Sequence, residues 1–278
     1  MLAGPIDWWL RPFLDSEIMA NALVAGLLVV ITTSVIGTWV VLRGLSFLGD
    51  ALAHGVLPGV AIALILGASP ILGALVAAMA MVALLTTIRD RSPLPEDVSI
   101  GVLFVGFLAA AVVILSSNSG DYLVDLDGLL FGSIQGVGTG DLIGQAVVAA
   151  VVLLGVAVFH RPFVTLTFDR NLAELLGLKP RLAHGMLMVL LALAIVASFQ
   201  AVGNLLVFAF LIAPPATAVL LVKRIPSIMA LSAAIGSAAV ITGLLVAYHG
   251  RTAAEATMAL VAVMVYVVTV VAKPLLRR

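Results

Sequence analysis

Two ionisable residues stand four apart within an apolar run, Asp50 and His54 in Arg43-Gly44-Leu45-Ser46-Phe47-Leu48-Gly49-Asp50-Ala51-Leu52-Ala53-His54-Gly55-Val56-Leu57-Pro58-Gly59. On a helix that spacing puts both side chains on one face. A carboxylate and an imidazole are donors suited to borderline divalent ions such as zinc and manganese. Two ligands make an incomplete site, a defect for storage or structure but an asset for a carrier, because conduction requires weak or transient binding. Spacing alone equally fits an N-cap aspartate with a nearby interfacial histidine. The surroundings raise the pair, since charges at membrane depth are costly and functional by default.

Those surroundings are apolar along the whole chain. Of 278 residues, 63% are apolar and 10% charged, well above the apolar share of a soluble domain. Nine stretches have helix length: about 18 to 42, 51 to 67, 70 to 88, 98 to 116, 141 to 159, 182 to 199, 203 to 222, 227 to 248 and 254 to 272. They use most of the chain and exclude a soluble globular enzyme and a second folded domain. The fold class is therefore an all-α polytopic membrane protein, with residues 1–17 as an interfacial segment anchored by Trp8 and Trp9 and residues 18–278 as one transmembrane domain. That N-terminal segment has no basic start and does not read as a cleaved signal peptide. Two places leave the number of crossings between eight and nine: the short second stretch, and the hinge Gln200-Ala201-Val202-Gly203-Asn204, either of which suits a broken or re-entrant helix.

The 14 basic residues balance the 14 acidic ones, so net charge argues for no nucleic-acid partner. Their placement is informative. With loops assigned alternately, Arg43, Arg89, Arg91, Arg161, Arg170, Lys179, Arg181, Lys223, Arg224, Lys273, Arg277 and Arg278 fall on one side, and only Arg11 and Arg251 on the other. The positive-inside rule makes the first side cytoplasmic, with the C-terminus inside and, for nine crossings, the N-terminus outside. On the outer side, Leu129-Leu130-Phe131-Gly132 in the stretch from Ser116 to Asp141 suits a short helix that dips back. On the cytoplasmic side, Asp169 to Leu178 reads as a small amphipathic helix with Asp169 as N-cap, Leu172, Leu175 and Leu176 on one face, and Gly177 and Pro180 as its stop. Either lipid headgroups or a docked soluble partner would cover that face.

Other residues carry weaker signals. His249, near Arg251 and Glu255, is either a metal ligand at the outer mouth or a solvated loop histidine. His160 and His184 read as interfacial. Pro214 and Pro215 each lack an amide proton and are expected to break the seventh helix, whose freed carbonyls need burial in protein or a wet cavity. This makes Pro214, Pro215 and the hinge residue Asn204 pathway or gate candidates. Met186 and Met188 read as core filler. With no cysteine there is no thiolate ligand or nucleophile. No Gly-x-x-x-x-Gly-Lys-Ser/Thr loop, His-Glu-x-x-His helix or Gly-x-Ser-x-Gly elbow occurs, so no site for covalent catalysis or ATP hydrolysis is visible.

The run from Val41 to Ala61 resembles the signature of the membrane permease subunits of bacterial zinc/manganese ABC importers. Leu130-Phe131-Gly132-Ser133, the segment Asp169 to Leu178, Val202-Gly203-Asn204-Leu205-Leu206-Val207 and Ala213-Pro214-Pro215-Ala216-Thr217-Ala218 are similar to the family's later blocks, in order, so the likeness covers about residues 18 to 272. It implies a type II importer permease, similar in fold to the cobalamin and iron-siderophore permeases with one fewer N-terminal helix. It also implies a homodimer in the bacterial plasma (inner) membrane, with the pore between protomers, two cytoplasmic ATPase subunits and an extracytoplasmic metal-binding protein. Zinc or manganese would be cargo rather than resident cofactor, with ATP used by the partner. Asp50 and His54 match polar positions of the translocation path. Asp169, Arg170, Asn171, Leu172, Ala173, Glu174, Leu175, Leu176 and Gly177 would form the coupling helix in a cleft of the ATPase. The motif separates zinc, manganese and iron no further. Two other readings stand beside this one: a permease of the same architecture for a metal chelate or cobalamin, and a stand-alone secondary carrier using Asp50 as a proton relay. The second leaves the cytoplasmic helix unexplained.

Overall fold

The computed structural model describes residues 5–117 and 134–276, so the expected dip at Leu129–Gly132 and the block Leu130–Ser133 lie outside the described residues. The described chain forms twelve α-helices: α1 Pro5–Asp15, α2 Glu17–Leu42, α3 Ser46–Gly55, α4 Leu57–Ile65, α5 Pro70–Arg91, α6 Glu96–Ser117, α7 Thr139–Val158, α8 His160–Phe168, α9 Arg170–Leu175, α10 Pro180–Leu221, α11 Ile225–Gly250 and α12 Ala254–Leu276. Among the described residues, eight helical stretches are long and apolar enough to cross a membrane, and a ninth, Leu205–Leu221, is shorter. Each of the nine expected segments falls on one of them.

The ends follow from local chemistry. Ser16 caps α2 by accepting from the Met19 amide. At its other end Gly44 takes φ 68°, and the amides of Gly44 and Leu45 turn back to the carbonyls of Val41 and Val40 at 3.1 and 2.9 Å. This glycine-closed end redirects the chain into α3 within three residues. The second expected segment is two helices, α3 and α4, interrupted at Val56. Pro58 has no amide proton to give the carbonyl of His54, four residues back, so the ladder loosens just past the histidine.

The prolines of the seventh segment do not break it. Helix continues through Pro214 and Pro215 to Leu221, and both prolines are buried. Pro215 cannot donate to the Leu211 carbonyl, and that oxygen lies against Gly37 of α2, where a Cβ would collide with it. The freed carbonyl is thus enclosed in protein against a residue with no side chain, which satisfies the constraint without a break.

The break comes earlier, at Gly203, whose φ 73° and ψ 167° belong to a region that only glycine enters readily. A straight helix would hold His184 and Leu211 about 40 Å apart. Yet Arg43 bonds His184, and Gly37, about 9 Å away along α2, touches Leu211. The chain therefore doubles back at Gly203 into two antiparallel arms. Lys273 near the end of α12 donates to the carbonyl of Leu220, which ties the second arm's end to the last helix.

Helix α2 lies at the centre, packed against α7, both arms of α10 and α11. Trp39, Ile36, Leu48, Leu52, Met81, Phe163 and Phe210 are fully enclosed around it. The ends of α2 and α5 and the starts of α6 and α10 meet at one end of the bundle through Arg43, Arg89, Glu96 and His184. That is the alternation nine successive crossings require. The helices leave few ways for α3 to tilt. Gly49 faces Leu211 and Phe208, Gly55 faces Met81, and α4 crosses α5 where Gly59 and Gly73 meet backbone to backbone.

Candidate functional site

Asp50 and His54 lie on one face of α3, as their spacing predicts. The opposite face, Leu48, Ala51 and Leu52, is packed into the core and fixes the rotation of the helix. His54 Nδ1 lies 3.1 Å from the backbone oxygen of Asp50 and 3.4 Å from its carboxylate oxygen Oδ1. An imidazole that donates from Nδ1 carries its lone pair on Nε2, the atom able to bind a metal. The two side chains are 29% and 27% exposed, so the pair is sheltered yet reachable. Its wall comes from α6: the Phe104 ring meets His54 edge-on at 5.4 Å and Phe47 at 5.8 Å.

Among the described residues no three His, Cys, Asp or Glu side chains are grouped to hold a metal. The pair alone therefore offers two donors, fewer than the four or more that divalent transition-metal ions take. The other expected candidates lie on other helices than the pair. His249 is exposed, bonds through Nδ1 to the Leu245 carbonyl of its own helix at 2.9 Å and meets Tyr248 edge-on. Glu255 turns away to accept from the Ile134 amide at 2.8 Å, which fixes the short turn Ile134–Gly136 ahead of α7. Pro214 and Pro215 are enclosed in the second arm of α10, and Asn204 follows the Gly203 turn.

The amphipathic segment at 169–178 folds more briefly than expected. Helix runs only from Arg170 to Leu175, with Asp169 Oδ1 accepting from the Leu172 amide at 3.0 Å. Gly177 and Lys179 adopt positive φ and turn the chain into α10. Residues 176–178 form the turn rather than a further helical stretch, because the Leu178 amide closes on the Ala173 carbonyl at 2.9 Å. Its inward contact is Ala173, fully buried, while Leu172, Leu175 and Leu176 are 45, 85 and 60% exposed.

Sequence reading missed a second polar cluster. His184, expected at the interface, is only 2% exposed. Arg43 Nη2 lies 3.0 Å from its Nδ1, Glu96 Oε1 lies 3.3 Å from its Nε2, and Arg89 Nε lies 3.5 Å from Glu96 Oε2. His160 also turns inward, edge-on to the buried Trp39 at 5.6 Å. The position of Arg43, Glu96 and His184 at predicted helix ends was visible, but nothing local pairs residues 141 positions apart.

Comparison with known proteins decides the family. The model of the ABC 3 transport family matches residues 15–273. The chain belongs to the ABC 3 transport family. Within it, the manganese import system permease protein ScaB of Streptococcus gordonii is 34% identical over 255 residues, spanning 92% of this chain and 91% of that protein. Among solved structures, PsaBC from Streptococcus pneumoniae in complex with Fab is 32% identical with a TM-score of 0.83, covering 95% of each chain. An inward-facing putative metal-chelate type ABC transporter has the same fold at 17% identity, TM-score 0.72, over 97% of this chain and 91% of that one. The chain is thus a multi-pass membrane protein with an importer-permease fold.

Proposed function

We propose that this chain is the membrane permease of an ATP-driven importer of divalent transition metal ions, manganese or zinc. The observation that carries the reading is the Asp50–His54 pair, sheltered on one helix face in a chain that a manganese import permease matches over nearly its whole length. In this reading the protein is a transporter subunit and not an enzyme. A second copy across the pore doubles the donor set to two carboxylates and two imidazoles, enough to hold an ion in passage without trapping it. The cytoplasmic side carries the basic loops and the C-terminus. The exposed leucines of α9 dock in a cleft of an ATPase subunit, one for each protomer, and ATP turnover there switches the dimer between outward and inward openings. An extracytoplasmic metal-binding protein delivers the ion to the outer mouth.

The test is uptake of labelled manganese, zinc and iron by cells that carry the chain or its Asp50→Ala/His54→Ala variant at equal membrane abundance. The variant is expected to lose uptake of the transported ion to the level of cells lacking the chain. Normal uptake by the variant would refute the assigned site. Uptake of a chelate or cobalamin in place of the free ion would move the substrate class.

A further inference from the structure

The cluster at the far end of α2 has no role in the account so far, although it is built from charged groups that are expensive to enclose. Replacing such groups by apolar ones commonly costs little stability, so stability explains them poorly, and a switching role is their best attested use. Their places in the chain are specific. Arg43 directly precedes the turn into α3, the helix of Asp50 and His54. Glu96 is the first residue of α6, whose Phe104 lies two turns on against His54. His184 lies four residues after Pro180, where α10 leaves α9 through the turn at Gly177 to Lys179. One histidine therefore meets the entries of both helices that frame the metal pair, on the strut that emerges from the ATPase-facing helix.

The hydrogen-bond roles are fixed by chemistry. Arginine only donates, so His184 Nδ1 accepts from Arg43 at 3.0 Å, while Nε2 lies 3.3 Å from Glu96 Oε1 in a charge contact without hydrogen-bond geometry. Arg89 holds the other oxygen of the same carboxylate at 3.5 Å. The Arg43 bond weakens steeply once stretched, and the Glu96 contact is already long, so a shift of His184 by an ångström or so drags Arg43 along or releases it and parts the ring from Glu96. The small helix α9 is joined rigidly to the strut, because Ala173 is enclosed and its carbonyl holds the Leu178 amide.

We propose that Arg43, His184 and Glu96 form a positioning relay that carries displacement of α9 to α3 and α6, opening or closing the Asp50–His54 pair in step with ATP turnover. The relay rests on the importer reading above. Held together, the three residues fix Phe104 against His54. Separated, they free α6 and α3 to move apart.

The test reconstitutes the chain with its ATPase and metal-binding partners in liposomes and measures Mn²⁺ uptake and ATP hydrolysis together. Glu96→Gln keeps the shape and removes the charge. It is expected to raise the ATP hydrolysed per Mn²⁺ taken up about tenfold, a typical span for coupling between sites. Half-saturation for Mn²⁺ and the melting temperature of the complex should stay at the wild-type values, which a merely structural role would not separate from the lost coupling. Should Glu96→Gln fail to assemble, Arg43→Lys, which keeps the charge and loses the planar fork facing His184, carries the same expectation. A wild-type ratio in either assembled variant overturns the relay and leaves the importer reading intact. Wild-type complex that takes up neither Mn²⁺ nor Zn²⁺ would instead overturn the importer reading beneath it.

Discussion

At the scale of single residues, Asp50 and His54 show how far spacing reaches. Their common face was legible because four residues on a helix bring side chains together whatever the rest of the chain does. Their mutual hydrogen bond, and the Phe104 ring beside them, were not, because α6 lies some fifty residues on and its rotation is set by packing. The same limit explains His184. Its sequence neighbours look interfacial, and only the fold brings Arg43 and Glu96 to either side of its ring. In the proposed permease Asp50 and His54 hold one ion between them, so their effects should not add. Asp50→Ala and His54→Ala are each expected to remove most uptake, and the double variant to lose little beyond the worse single one. Independent, multiplicative losses in an uptake cycle would show that the two residues act at separate points.

At the scale of elements, hydropathy located all nine apolar segments, because length and composition suffice where lipid is the solvent. It also placed the hinge at residues 200–204, where the chain does turn, but added a break at the prolines that does not occur. Pro214 and Pro215 look like a break, but Gly37 leaves room for the Leu211 carbonyl and the helix runs on. The turn belongs to Gly203, where φ 73° and ψ 167° suit no residue with a Cβ. Gly203→Ala is accordingly expected to cost about 1–3 kcal/mol, measured as a lower thermal midpoint of the purified protein, whereas an unchanged midpoint would argue against the turn. The short amphipathic helix α9 was legible through Asp169 and its leucines, although it is shorter than their periodicity suggests. Leu175, 85% exposed, contributes little to this fold. Leu175→Asp should leave thermal stability within about 0.5 kcal/mol of wild type and abolish co-purification with the ATPase. Intact co-purification would remove α9 from the docking surface.

At the scale of the whole molecule, the described residues form nine apolar helical segments with α2 at their centre, and one end of the bundle carries α9 and the Arg43–His184–Glu96 cluster. The Asp50–His54 pair lies further along α3, beyond that end. The sequence has no phosphate loop and the described residues form no closed metal site, so in this account energy enters at one end through a partner and the ion passes where two incomplete sites face each other. A proton-driven carrier would need neither the exposed leucines nor a partner. Mn²⁺ uptake into liposomes separates the two most directly, with the chain reconstituted alone, with its ATPase and metal-binding partners, and with those partners but no ATP. The account predicts uptake only in the complete complex with ATP. Uptake by the chain alone, driven by a proton gradient, would contradict it.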